Sequence, residues 1–289
     1  MRFDRVYIEI SNICNLQCSF CPEVDRDKKI MSASDLDLIL PQVKPLASQV
    51  CLHLMGEPLA HPKFKQVLEV CNRHEVPVNL TTNGVFISKY AQDLLLFKSL
   101  RQINFSLQSY QDNFPDRSIE EYLTMVWDFV VELMQHRPEV YINFRLWNID
   151  VKNNNEEIFT FLENKTGKKI KRQVEVGGIK SKKIINRFYL NFDTRFEWPD
   201  INGKDLGDCG TCYGIVRQIG ILADATVVPC CLDKEGQAPL GNCLENSLDT
   251  ILDTELVKQM DNGFKTGKLI HPLCQRCTYI ERFKRKVLA

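Results

Sequence analysis

The segment RVYIEISNICNLQCSFC, residues 5–21, joins a strand pattern to three cysteines. Val6, Ile8 and Ile10 alternate with other residue types as a half-buried strand requires. Cys14-Asn-Leu-Gln-Cys18-Ser-Phe-Cys21 follows directly, so three thiols share one loop at the strand's C-terminal edge. Working outward, the apolar pattern predicts further strands over 49–55, 78–82, 102–107 and 140–146. Helical segments lie between them. Phe64, Val67, Leu68 and Cys71 follow i, i+3, i+4, i+7. Ser88 is placed to cap a segment carrying Ala91, Leu94 and Leu95, and Ser118 with Glu121 reads as a capping box before a helix through Val126, Phe129 and Leu133. The polar stretch 153–155 opens another helix, and a last strand is expected between 174 and 193. Repeated βα units imply a parallel sheet with right-handed crossovers, either doubly wound or a whole or partial barrel. In both, ligands sit at the strands' C-terminal ends.

The chain has 289 residues, with 37 basic and 37 acidic side chains. That length suits one large domain plus a small one, and the charge balance disfavours a generally basic nucleic-acid binder. No apolar run approaches the ~20 residues of a membrane span. Met1 to Arg5 carries an acid where a secretion signal is apolar, so no membrane association and a cytoplasmic location are expected. Twelve cysteines are many for such a compartment and point to metal or redox chemistry. Ten fall in two groups: Cys14, Cys18 and Cys21, and Cys209, Cys212, Cys230, Cys231, Cys243, Cys274 and Cys277. Cys51 and Cys71 stand apart and read as core residues.

Residues 195–208, rich in Pro, Asn, Gly and Asp, read as a linker between domains over 1–195 and 209–289. In the second, 218–222 and 226–229 flank Asp224 and Ala225 as a hairpin, 247–260 reads as one capped amphipathic helix, and 279–286 as a basic one. The basic run 165–172 reads as a solvated face.

Three closely spaced thiolates can hold three irons of a cubane cluster while the fourth iron keeps an open position. A structural zinc knuckle needs a fourth ligand, and no histidine lies between residues 1 and 52. The distal cysteines suit a four-thiolate cluster or a zinc ribbon on spacing alone.

The CxxxCxxC spacing, with Phe20 before the last cysteine and a βα repeat around it, resembles the radical SAM superfamily. The resemblance implies an α/β fold, a partial (β/α)6 TIM-type barrel. It implies that Cys14, Cys18 and Cys21 ligate a 4Fe–4S cluster whose open iron chelates S-adenosylmethionine, and that Phe20 contacts the adenine. Met55-Gly56-Glu57-Pro58 resembles the family's Gly-Gly-Glu-Pro motif, which receives the methionine amino group, with Met55 in place of the first glycine. Asn83, in Thr82-Asn83-Gly84, and Ser106, in Phe105-Ser106-Leu107-Gln108, match segments near the cofactor and its ribose, with Gln108 toward the cavity. Arg145 stands at a fifth-strand end to meet a carboxylate or the substrate. Cys212, Cys230, Cys274 and Cys277 resemble the ligand set of a small cysteine-rich SPASM or twitch domain, built on a β-hairpin and helices, which holds one auxiliary 4Fe–4S cluster. Ala225 stands where that hairpin commonly turns on glycine.

The activity this implies is reductive cleavage of S-adenosylmethionine to a 5′-deoxyadenosyl radical and hydrogen abstraction from a substrate, most simply for an oxidation or a cross-link. Reduced flavodoxin or ferredoxin would donate the electron. The substrate is a peptide, as for a ribosomal-peptide maturase, or a small molecule, as for an amino-cyclitol-type dehydrogenase; an RNA-modifying enzyme or a non-enzymatic zinc scaffold are the alternatives. His53, His74 and His136 have no ligand partners at suitable spacing, and His271 reads as a loop histidine near Cys274.

Overall fold

The computed structural model describes residues 3–148, 155–170, 172 and 180–284. Its strands are β1 (Arg5–Ile8), β2 (Val50–Cys51), β3 (Val78–Thr82), β4 (Leu100–Ser106), β5 (Tyr141–Leu146), β6 (Ser181–Ile185), β7 (Phe188–Phe192), β8 (Gln218–Ile221), β9 (Thr226–Val228) and β10 (Gly241–Asn242). The helices are α1 (Ala33–Val43), α2 (Phe64–His74), α3 (Ile87–Leu96), α4 (Gln108–Asn113), α5 (Glu120–His136), α6 (Glu156–Thr166), α7 (Leu248–Leu252), α8 (Glu255–Thr266), α9 (Pro272–Gln275) and α10 (Glu281–Lys284).

All ten strands form one sheet in the order β10-β9-β8-β1-β2-β3-β4-β5-β7-β6. The run from β8 through β1 to β5 and β7 is parallel, with Val6 opposite Val50 and Ile219, and Phe105 opposite Phe144. β6 and β10 add antiparallel edges, so the sheet curves without closing. Tyr7, Asn79, Asn104, Asn143 and Arg145 alternate with fully buried Val6, Leu80, Ile103, Ile142 and Phe144. The apolar set packs against the helices and builds the core; the polar set faces the concave side.

Strand β3 lies where the pattern places it, whereas β2 is shorter than 49–55. Beyond Cys51 the chain leaves the ladder: the buried Glu9 carboxylate accepts the Met55 N–H at 3.1 Å, and Glu57 N–H donates to the Ile13 carbonyl at 3.0 Å. The Glu9 side chain and the Ile13 backbone take over there and turn the chain toward the cysteine loop. The single strand expected between 174 and 193 is an antiparallel pair, β6 and β7, of which only β7 joins the parallel run; 173–179 lie outside the described residues.

Two caps differ from expectation. Phe86, not Ser88, occupies the N-cap of α3, and neither Ser118 nor Glu121 forms a box, because Ile119 is the N-cap of α5 and Ser118 Oγ accepts from Glu120 N–H instead. The 247–260 segment is two helices. Ser247 caps α7, and the extended Thr254, whose hydroxyl donates to the Ile251 carbonyl, restarts the chain as α8. The basic run 165–172 is exposed as expected at Lys165, Lys168, Lys169 and Arg172, and Arg172 also pairs with Glu156 and Glu163; residue 171 lies outside the described residues. The tail is a short helical turn followed by α10.

The hairpin 218–229 forms as read, β8 against β9, with Ala225 at φ +69° in the turn. Its first strand pairs with β1 along four positions. The cysteine-rich region therefore continues the sheet of the larger one, across residues 195–208, which carry no regular strand or helix.

Candidate active site: two cysteine groups facing one cavity

The loop after β1 is anchored from two sides. Gly56, at φ +71°, presses on it so closely that a Cβ would lie 2.3 Å from the Ser11 carbonyl oxygen and 2.9 Å from the Ile13 nitrogen. No side chain fits there without moving backbone. From the other side, Asp112 at the end of α4 accepts the Ser19 N–H and, at 2.7 Å, its hydroxyl, and Asn113 accepts the Gln17 N–H at 2.8 Å.

Amide groups also reach the thiols. Asn113 Nδ2 donates to Cys18 Sγ at 3.2 Å, and Asn83 Nδ2 lies 4.0 Å from Cys14 Sγ while donating to Asn15 Oδ1 at 2.8 Å. Cys14 and Cys21 are exposed and Cys18 is half-buried. Burial, then the neighbouring Cys18 and Cys14, pushes the Cys21 thiol up to about 12; burial raises Cys14 and Cys18 as well. Ligation by a cation reverses that cost, since a metal takes the thiolate.

Glu57 is 2% exposed, and donors hold both its oxygens: Leu59 N–H at 2.9 Å and Thr82 Oγ1 at 2.7 Å on one, Asn83 N–H at 2.7 Å on the other. Burial lifts its carboxyl to about 7 against the pull of those donors. It joins the ends of β2 and β3, and Tyr122 Oη adds a bond to the Asn83 carbonyl at 2.8 Å. Glu9, fully buried, does the same for β1, β2 and β8, accepting Met55 N–H, Ala223 N–H and the Arg26 guanidinium at 2.6 Å.

The concave side of the sheet encloses a cavity of about 730 Å³. Phe20, Cys21, Ser106, Gln108 and Arg145 line it, and so do Cys212, Cys230, Cys274 and Cys277. The distal four come from separate segments: Cys212 ahead of β8, Cys230 after β9, Cys274 on α9 and Cys277 just beyond it. Their thiols are raised by burial first, and those of Cys230, Cys274 and Cys277 then by neighbouring cysteines, Cys212 among them; Cys277 reaches about 11. His271 caps α9, its Nδ1 accepting Leu273 N–H at 3.2 Å, and so orients the turn that carries Cys274. Cys231 also faces the cavity, beside Tyr7, whereas Cys209 lies outside its lining and Cys243 is buried in the core.

Cys51 and Cys71 are core residues as read. His53 is not idle: it lines the cavity edge-on to Tyr7, its Nδ1 is buried without a partner, and burial followed by Arg145 and Arg5 lowers it to about 3. The amides of Asn79, Gln102, Asn104 and Asn143 form a hydrogen-bonded ladder across β3, β4 and β5. Polar residues at every second strand position are the signal that would have found this wall; Tyr7, His53 and Asn104 all carry it. The anchoring roles of Asp112 and Asn113 leave no such signal.

The donor sets suit iron–sulfur clusters: three soft thiols on one loop, backed by amide donors, and four half-buried ones facing a single cavity. Among the described residues no three His, Cys, Asp or Glu side chains are drawn together around a single-ion site. No helix among the described residues is long and apolar enough to cross a membrane.

Comparison with known proteins agrees. Residues 8–162 match the model of the radical SAM superfamily, and 212–278 that of the SPASM iron–sulfur cluster-binding domain. A Methanococcus maripaludis (strain C5) protein described as a probable GTP 3′,8-cyclase is 29% identical over 106 residues, 35% of each chain, so the chain matches about a third of that relative's length. Among solved structures, BtrN in complex with AdoMet and 2-DOIA shares the fold at TM-score 0.59 and 14% identity, over 96% of this chain and 94% of that one. Streptococcus suis SuiB bound to its precursor peptide SuiA does so at 0.54 and 18%, over 98% and 73%. With its first family match covering more than half its length and both kinds of cysteine group in place, this chain belongs to the radical SAM superfamily, takes a 4Fe–4S cluster and S-adenosylmethionine, and carries a SPASM-type domain for auxiliary iron–sulfur binding.

Proposed function

We propose that the chain is an oxidoreductase that acts on a small molecule held between two clusters, one on Cys14, Cys18 and Cys21 and one on Cys212, Cys230, Cys274 and Cys277. Residues 1–195 form the catalytic core and 209–289 the auxiliary unit. The observation that carries this reading is the shared cavity of about 730 Å³, lined by Cys21 and by all four distal cysteines. That volume is in the small-molecule range.

When bound, the first cluster and S-adenosylmethionine supply a 5′-deoxyadenosyl radical that takes a hydrogen atom from the substrate. The chain's own residues bind and orient. Asn113 and Asn83 direct N–H groups at the Cys18 and Cys14 sulfurs and stabilise their negative charge. Gly56 holds the loop in register, and Glu57, its carboxylate locked by three donors, is the anion for the methionine ammonium. Asn83 sits beside it, Phe20 meets the adenine, largely through its backbone, and Ser106 faces the ribose. A closed four-thiolate set suits electron transfer rather than substrate ligation, which is why the net reaction is read as an oxidation. Reduced flavodoxin or ferredoxin is the donor.

A peptide substrate is the second reading, favoured by the fold shared with SuiB, whose structure holds a precursor peptide. The test is iron and sulfide content after anaerobic reconstitution, then 5′-deoxyadenosine release with dithionite. About eight irons per chain with release is expected. Zinc alone with no release would return the chain to a scaffold.

A further inference from the structure

Among the described residues the charges on the cavity wall are unbalanced: Arg5, Arg145, Lys180 and Arg282 line it with a single carboxylate, Asp193. Asp193 is already engaged, accepting from Lys180 and from Arg282 at 2.9 Å each. Arg145 stacks over the Trp147 ring at 4.7 Å and Arg5 lies against the Tyr7 phenol; neither has a carboxylate partner among the described residues. The two guanidiniums share one neighbourhood: both line the cavity, and Tyr7, Cys51 and Cys231 lie close enough to act on each of them. Two polar groups that line the cavity also lack a partner among the described residues: His53 Nδ1, and Oε1 of Gln108, which is 6% exposed. Buried polar atoms without partners are rare in folded proteins and mark a place where a ligand completes the bonding.

Resting on the reading above, we propose that Arg5 and Arg145 form an anion-binding subsite that clamps a carboxylate or phosphate group of the substrate. Guanidinium forks match both groups bidentately. This assigns Arg145 to the substrate rather than to the cofactor's carboxylate, because its neighbours belong to the Cys231 side of the cavity. The amide ladder of Asn104 and Asn143 then faces the uncharged part of the same molecule.

The test is anaerobic isothermal titration calorimetry of the reconstituted holoenzyme with succinate and, separately, inorganic phosphate; the arm that binds identifies the group. Saturable binding is expected for one of them. Arg5→Gln should weaken it at least tenfold, Arg5→Lys, which keeps the charge but loses the planar fork, should weaken it by about three- to tenfold, and the exposed Lys98→Gln should leave it unchanged. If Arg5→Gln loses iron or fold, Arg145→Gln carries the same expectation for binding. Release of 5′-deoxyadenosine without substrate is measured alongside. Binding in a wild-type protein that releases none would strike the radical reading while upholding the subsite. The subsite is overturned if neither anion binds, which would leave both guanidiniums as counter-charges to the distal thiolates, or if Arg5→Gln and Lys98→Gln behave alike.

Discussion

The two cysteine groups reach the same cavity by opposite routes, the first through Cys21 and the second through all four of its thiols. The first is local: one loop, three thiols within eight residues, two of them exposed, held from outside by Gly56 and by the Asp112–Asn113 end of α4. The second is assembled from segments spread over 212–277, none of its thiols exposed, with Cys212 adding to the larger effect of burial on Cys230, Cys274 and Cys277. A loop of three ligands leaves a coordination position open to a reactant, while a set of four closes it. The two regions also treat positive φ differently. In the first, Gly56 is demanded by backbone contact; in the second, Ala225 adopts φ +69° with its side chain buried.

The contrast breaks most visibly if the sites are exchanged. Replacing Cys14, Cys18 and Cys21 together by Ala should abolish 5′-deoxyadenosine release while keeping roughly half the iron, about four per chain, read by iron assay and chromatography. Release that survived would remove the first group from the chemistry. Replacing Cys212 and Cys230 by Ala should take away the other half of the iron yet spare uncoupled release; iron unchanged from wild type would reassign the distal set.

Two smaller effects sharpen the comparison of backbones. Gly56→Ala forces a side chain against Ser11, and a cost of ~3 kcal/mol is expected, seen as a melting temperature lower by several degrees and weaker S-adenosylmethionine cleavage. A melting temperature within one degree of wild type would show that the loop yields. Ala225→Gly relieves a left-handed alanine and should stabilise by about 1 kcal/mol or less, with iron content unchanged. Destabilisation there would mean that the buried methyl contributes more than the turn strain costs.

Much of this was legible beforehand. The cysteine spacing, the βα repeat and the hairpin of 218–229 all depend on neighbours close in sequence, and each appears where the pattern places it. The misreadings are also local in kind. Capping at Ser88 and Ser118 failed because the tertiary entry of the chain moved the N-cap by a residue or two, and 247–260 broke because Thr254 prefers an extended cap to a helix interior. His53 looked inert because its partners, Tyr7, Arg5 and Arg145, come from other strands.

By itself, then, the sequence determined which thiols exist, how they are spaced and which elements carry them, because strand and helix periodicity and ligand spacing act over a few residues. Only the tertiary structure decided that β8 lies beside β1, that Cys21 and Cys230 line one cavity, and that Arg5 and Arg145 share a neighbourhood. Those are pairings between residues far apart along the chain, fixed by how a twisted parallel sheet curves and buries its apolar face, and no local pattern encodes them.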